Sequence, residues 1–171
     1  MRNATMTDFE QIQRLLELSF PVDERRSAQA QRLVFEDPRF RCLVLEDGDR
    51  ILGFMTVWQF DGWAFAEHLT TDPSVRNQGF GSQILQAVIT SVEGPLCLEV
   101  ELPETDMAKR RIGFYQRNGF TLNEYPYIQP AYAPDQNPVP LLLMTTDGPI
   151  DPTQYEMIRD TLYREVYKVQ P

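Results

Sequence analysis

"TTDPSVRNQGFGSQILQAVI", Thr70 to Ile89, changes character halfway along. A polar loop with Asp72-Pro73 runs into Gly79-Phe80-Gly81. Beyond it Ile84, Leu85, Val88, Ile89 and Val92 recur at helical spacing. A helix therefore begins near Gly79, and the residues leading into it include Arg76 and two glycines but no carboxylate after Asp72. The first four N–H groups of a helix lack intrahelical partners and carry a partial positive charge. Glycines there let another molecule approach the backbone closely. Such a terminus suits an anion, most often a phosphate.

Outward from this loop the chain alternates element types. Thr7-Asp8-Phe9-Glu10 has the form of a capping box for a helix carrying Phe9, Ile12, Leu15, Leu16 and Phe20, which Pro21 stops. A second helix is expected from about Asp23 to Glu36. "RCLVLED", "RILGFMTVWQF" and "WAFAEHLTTD" read as three strands joined by tight turns at Gly48 and Asp61-Gly62. After the Gly79 helix, Gly94-Pro95 leads to the strand "LCLEVEL", then a helix from about Asp106 to Asn118, then the strand "PVPLLLMTT". Asp151-Pro152 opens a last helix, with Gln154 closing its box. Glu124 to Pro140, with five prolines and three tyrosines, reads as an extended loop whose rings could line a pocket or merely stiffen the connection. Helices, a meander, then alternating strands and helices make a mixed α/β domain with a mostly antiparallel sheet. One domain over residues 1–171 is expected, ending in a helix at about 151–168.

The loop fits two common phosphate motifs poorly. A Walker A loop ends Gly-Lys-Ser/Thr, where this chain has Gly81-Ser82-Gln83. A dinucleotide fingerprint needs a glycine where Ile84 stands and a strand running straight into the first glycine. A third pattern, Arg76-x-x-Gly79-x-Gly81, together with "EHLTTDPSVRNQGFGSQIL", resembles the acetyl-CoA segment of the GNAT N-acetyltransferase superfamily. A second block, Phe114-Tyr115-Gln116-Arg117-Asn118-Gly119-Phe120, resembles that family's C-terminal "FYxxxGF" signature. The blocks stand in the family's order, with one apolar strand between them, and the resemblance covers roughly Met1 to Met144. It implies a twisted sheet flanked by helices and splayed at the cofactor site. It also implies acetyl transfer from acetyl-CoA directly to an amine; two cysteines and one histidine cannot make a thiolate or imidazole metal cage, so no metal is expected.

Residue roles follow from the resemblance and from what the chemistry needs. The loop Val75, Arg76, Asn77, Gln78, Gly79, Phe80, Gly81 and Ser82 would bind the pyrophosphate through main-chain N–H groups, with Arg76 as the charged contact. Backbone at Leu69 and Thr71 would meet pantetheine and the thioester. Tyr115 matches the family tyrosine that faces the CoA sulfur and is the expected acid for the leaving thiolate, though it also suits an apolar helix face. Glu67 is the expected base, exposed to the acceptor by the splayed strand, with Glu101 or a water chain as alternatives. His68 alternates with Glu67, so only one of the two should face the cleft unless a bulge intervenes. Arg110 and Arg111 receive no role.

Composition narrows the rest. A net charge of −9 argues against non-specific nucleic-acid or anionic-membrane binding. No run approaches the roughly 18 apolar residues of a membrane span, and "MRNATMTDFE" has no apolar signal core, so a cytoplasmic protein is expected. Cys42 and Cys97 sit in apolar runs, as reduced, buried thiols do. The expected partner is a small-molecule or peptide amine; a homodimer is left open. The rival reading is a CoA-binding regulatory or interaction module without turnover.

Overall fold

A computed structural model of the protein describes residues 1–170. Two compact units, residues 1–96 and 97–171, divide the chain. The first holds β1 (Arg2–Asn3), α1 (Phe9–Ser19), α2 (Ala28–Val34), β2 (Phe40–Asp47), β3 (Arg50–Phe60), β4 (Trp63–Thr71) and α3 (Phe80–Ser91). Its strands pair antiparallel in the order β1-β2-β3-β4. Strand β5 (Leu96–Glu101) leads into the second unit, with α4 (Asp106–Arg117), β6 (Thr121–Gln129), β7 (Val139–Thr145) and α5 (Pro152–Thr161), which runs on as a π-helical stretch, Leu162–Tyr167. There β7 lies between β5 and β6 and pairs antiparallel with both. The expected class, mixed α/β with a mostly antiparallel sheet and flanking helices, is what the chain forms.

Each unit buries its own apolar faces. In the first, α1 and α3 pack against β3 and β4, and Phe9, Ile12, Leu16, Phe54, Trp58, Phe65, Ile84 and Leu85 are all but sealed from solvent. Full burial of one such side chain is worth about 1.5–3 kcal/mol. In the second, Leu98, Val100, Leu143, Met144 and Leu162 are buried.

Three sequence expectations need correction. The N-terminal box forms two residues earlier: the Thr5 N–H donates to Asp8 Oδ2 at 2.7 Å, and Asp8 also pairs with Arg2. The helix expected over residues 23–36 is broken. A 3-10 turn at Val22–Glu24 is followed by extended backbone at Arg25, and α2 begins only after Ser27, whose hydroxyl accepts from the Ala30 N–H. Part of the expected loop at 124–140 is strand. Between the pairs Asn123↔Leu143 and Tyr127↔Leu141 the ladder skips Glu124 to Pro126, so Pro126 is not asked for the N–H it lacks.

The tyrosines of this segment and of the C-terminal helix pin main chain. Tyr155 donates to the Pro126 carbonyl at 2.5 Å, Tyr163 to that of Ile128 at 2.6 Å and Tyr125 to that of Ile150 at 3.1 Å. The Tyr125 and Tyr155 rings stack at 4.7 Å.

Candidate active site

Strand β4 ends at Thr71, and the next five residues dispose of the nearest acid. Asp72 accepts from the Ser74 N–H at 2.9 Å and the Ser74 hydroxyl at 2.7 Å, and pairs with Arg50 at 2.8 Å. The Arg50 guanidinium, then Ser74, hold its carboxyl well below the usual carboxylate range. Its charge is therefore balanced locally before the helix begins. Arg76 follows, exposed and extended, with no ion-pair partner among the described residues. Asn77 and Gly79 both take the left-handed conformation, at φ 63° and 86°. Gly79 caps α3, whose first turn carries no acidic residue. A Cβ on Gly79 would meet no atom within 4 Å, so open space lies over this helix start. An acid-free helix start, an arginine without an ion-pair partner and room beside a left-handed glycine fit a phosphate group.

One strand upstream, β4 carries a β-bulge. The register steps from Thr56↔His68 to Val57↔Ala66, making Glu67 the extra residue. The bulge cancels the alternation, so Glu67 and His68 are neighbours on the same side, His68 Nδ1 lying 4.0 Å from Glu67 Oε2. Both side chains are buried, which corrects the expectation that Glu67 stands exposed. Its side chain is only 1% accessible: Oε1 accepts from Arg26 Nη1 at 2.6 Å and Oε2 from the Trp58 indole N–H at 2.9 Å. Because the residue as a whole is part-exposed, its main chain is what solvent reaches.

His68 has a structural role. Its Nε2–H donates to the Glu24 carbonyl at 2.9 Å, its backbone N–H donates to the Thr56 hydroxyl at 3.0 Å, and Phe20 meets the ring edge-on. Burial lowers its pKa, against the opposing pull of the Glu67 carboxylate.

In the second unit Tyr115 lies on α4, its ring buried between Phe114 and Phe120. Burial raises its hydroxyl to about 12. Among the described residues that hydroxyl has no hydrogen-bond partner, so it is left for a ligand or solvent. Glu101 and Arg111 form an exposed pair at 3.0 Å, which gives Arg111 a partner the sequence did not suggest. Glu99, assigned no role from the sequence, accepts from Tyr127 and, at 2.8 and 2.7 Å, from Tyr167. Sequence reasoning also missed Arg26, Trp58 and Thr56. Arg26 lay inside an apparent helix, and nothing local links it to a strand 41 residues on.

Comparison with known proteins decides the family. An acetyltransferase (GNAT) domain model matches residues 38–122. A solved structure from Bacteroides thetaiotaomicron, described as a candidate acetyltransferase of the GNAT family, is 38% identical, covers 99% of this chain and 98% of its own, and superposes with a TM-score of 0.88. This chain is a GNAT-family protein. More distant GNAT folds include the ribosomal-protein-S18-alanine N-acetyltransferase of Escherichia coli, 18% identical over 85% of this chain and 90% of that one, TM-score 0.65. An aminoglycoside 6'-N-acetyltransferase solved with coenzyme A is 15% identical over 85% and 96%, TM-score 0.60. At such identities only the fold is shared evidence. A search of curated proteins found no match. Within the GNAT frame no described helix is long and apolar enough to cross a membrane.

Proposed function

We propose that this GNAT protein is an acetyl-CoA-dependent N-acetyltransferase that moves the acetyl group directly to an amine. The observation that carries the proposal is the β4–α3 loop. Its two left-handed residues, its unpaired Arg76 and its acid-free helix start suit a pyrophosphate. Main chain from Arg76 to Ser82 would hold that group, the Val75 N–H being taken by the Asp72 carbonyl at 3.0 Å, and main chain at Leu69 and Thr71 would meet pantetheine and the thioester. Transfer needs the amine nitrogen deprotonated, the thioester carbon attacked, and the C–S bond broken with a proton for the thiolate. Tyr115, with its hydroxyl unengaged, is the proposed acid. Glu67 would belong to the site through its bulge, whose main chain, the part of the residue that solvent reaches, would meet the thioester too. Since both its oxygens are engaged, deprotonation of the ammonium falls to a water chain or to Glu101.

We take residues 1–171 as one acetyltransferase domain, because the family match at 38–122 runs straight through the division at residue 96. A cytoplasmic setting and a small-molecule or peptide amine acceptor complete the reading.

The test is release of free CoA thiol from acetyl-CoA across polyamines, aminoglycosides, amino acids and peptides, with calorimetry of CoA binding alongside. Binding and acceptor-dependent thiol release support the proposal. The engaged carboxylate of Glu67 favours one rival, a CoA-binding module without turnover; tight binding with no release above buffer would decide for it.

A further inference from the structure

The connection from α1 to α2 is tied to β4 at three points. Ser19 and Thr70 share a hydroxyl hydrogen bond of 2.6 Å, His68 donates to the Glu24 carbonyl, and Arg26 pairs with Glu67. The third tie is chemically the most demanding. Arg26 and Glu67 have side chains 6% and 1% accessible, and the guanidinium also lies 5.7 Å from the centre of the Trp58 ring. Burying two charges costs desolvation that their attraction barely repays, and an apolar replacement of such a pair is often as stable. Stability alone is thus a weak reason to break a helix at Arg25 and drive an arginine into the core. Geometry is a better one. The carboxylate held by this pair belongs to the extra residue of the β4 bulge, and that residue turns its main chain outward.

We propose that Arg26 is a positioning residue for acetyl transfer. Through Glu67 it fixes the bulge main chain against the thioester carbonyl without touching either substrate. Trp58 serves the same end from the other carboxylate oxygen. This rests on the acetyltransferase reading above. A preorganised main chain aimed at developing negative charge accelerates the reaction only while it is held in place. A displacement of about 1 Å can cost up to about 10²-fold in rate.

The experiment uses the full chain and [1-13C]acetyl-CoA. Isotope-edited infrared spectra give the thioester C=O stretch when bound to wild type, Arg26→Met and Trp58→Phe, and equilibrium binding and thiol release are measured on the same samples. Trp58→Phe removes the indole donor and leaves a smaller aromatic ring in the same buried site, so it tests the clamp from the other carboxylate oxygen should Arg26→Met fold poorly. The expected result is a bound stretch in wild type shifted from its position in water. It should move back toward the water value in both variants, with dissociation constants within about threefold of wild type and thiol release down at least about tenfold in Arg26→Met. Wild-type binding with an unmoved stretch in both folded variants overturns this proposal alone, as does loss of affinity in proportion to loss of rate. Wild type that binds no acetyl-CoA overturns the acetyltransferase reading and this proposal with it.

Discussion

Tyr115 has a buried ring and an unengaged hydroxyl, and the two properties make separate predictions. Tyr115→Phe keeps the ring against Phe114 and Phe120, so fold and CoA affinity should hold. Loss of the proton donor acts only in the transition state, and turnover should fall about 10²-fold, the low end for general-acid help. Steady-state turnover beside calorimetric affinity checks this; equal turnover would return Tyr115 to the core. Because burial raises the hydroxyl to about 12, it stays protonated throughout an ordinary assay, and any alkaline limb near pH ~10 belongs to another group. His68 is the opposite case. Its folded form is held below the usual imidazole value and resists protonation. The unfolded chain therefore binds the extra proton first. The contribution to stability is whole above the unfolded value of about 6.5 and is lost as pH falls below it, by at most about 1.4 kcal/mol per pH unit. Urea melts of wild type and His68→Gln between about pH 7 and 5 should show that slope in the wild type and its loss in the variant. Glu67→Gln leaves Arg26 buried without its counter-charge and should destabilise by about 3–5 kcal/mol. A loss under about 0.5 kcal/mol would mean that the buried ion pair adds little net stability.

Turns between elements separate two uses of glycine. Gly79 and Gly94 are both left-handed, at φ 86° and 76°. A Cβ on Gly94 would stand 2.0 Å from the Gly62 carbonyl oxygen, whereas one on Gly79 meets nothing. Gly94→Ala should therefore cost the left-handed penalty of about 1–2 kcal/mol plus a clash of similar size. Gly79→Val should cost the backbone term with no clash, yet weaken CoA binding, since its side chain would fill the space over the helix start. Chemical denaturation and CoA titration of both variants make the comparison. A folded Gly79→Val with unchanged CoA affinity would move the phosphate elsewhere.

For the whole molecule the ligand itself is the probe. Acetyl-CoA at a hundredfold excess over its dissociation constant adds about 2.7 kcal/mol to the native state. In a chain of this size that amounts to a rise of about 5–10 °C in Tm. NAD and ATP should give far less, because the loop lacks the third glycine of one motif and the Gly-Lys of the other. A clear rise with NAD and none with CoA would overturn the pyrophosphate reading.

Much of this is legible in the sequence. The order of the principal strands and helices follows from hydrophobic period, and the last helix starts where Asp151, Pro152 and Gln154 said it would. The start of α3 at Phe80 follows from Gly79, whose left-handed backbone favours glycine. These are local properties, set by neighbours within a turn or two. Strand β6 was hidden because Pro126 and Pro130 break the pattern of a strand, and only pairing with β7 showed that Pro126 falls where the ladder skips. The exposed base became a buried ion pair for a related reason. Alternation shows which face a side chain takes only if no residue is extra, and the extra residue at Glu67 is fixed by pairing with β3. Its partner Arg26 is 41 residues away, brought there because a buried carboxylate must find donors wherever the fold can supply them. Sequence neighbours determined where the chain turns and what could hold a phosphate; tertiary burial decided which charges met, because desolvation acts on groups that no stretch of sequence places together.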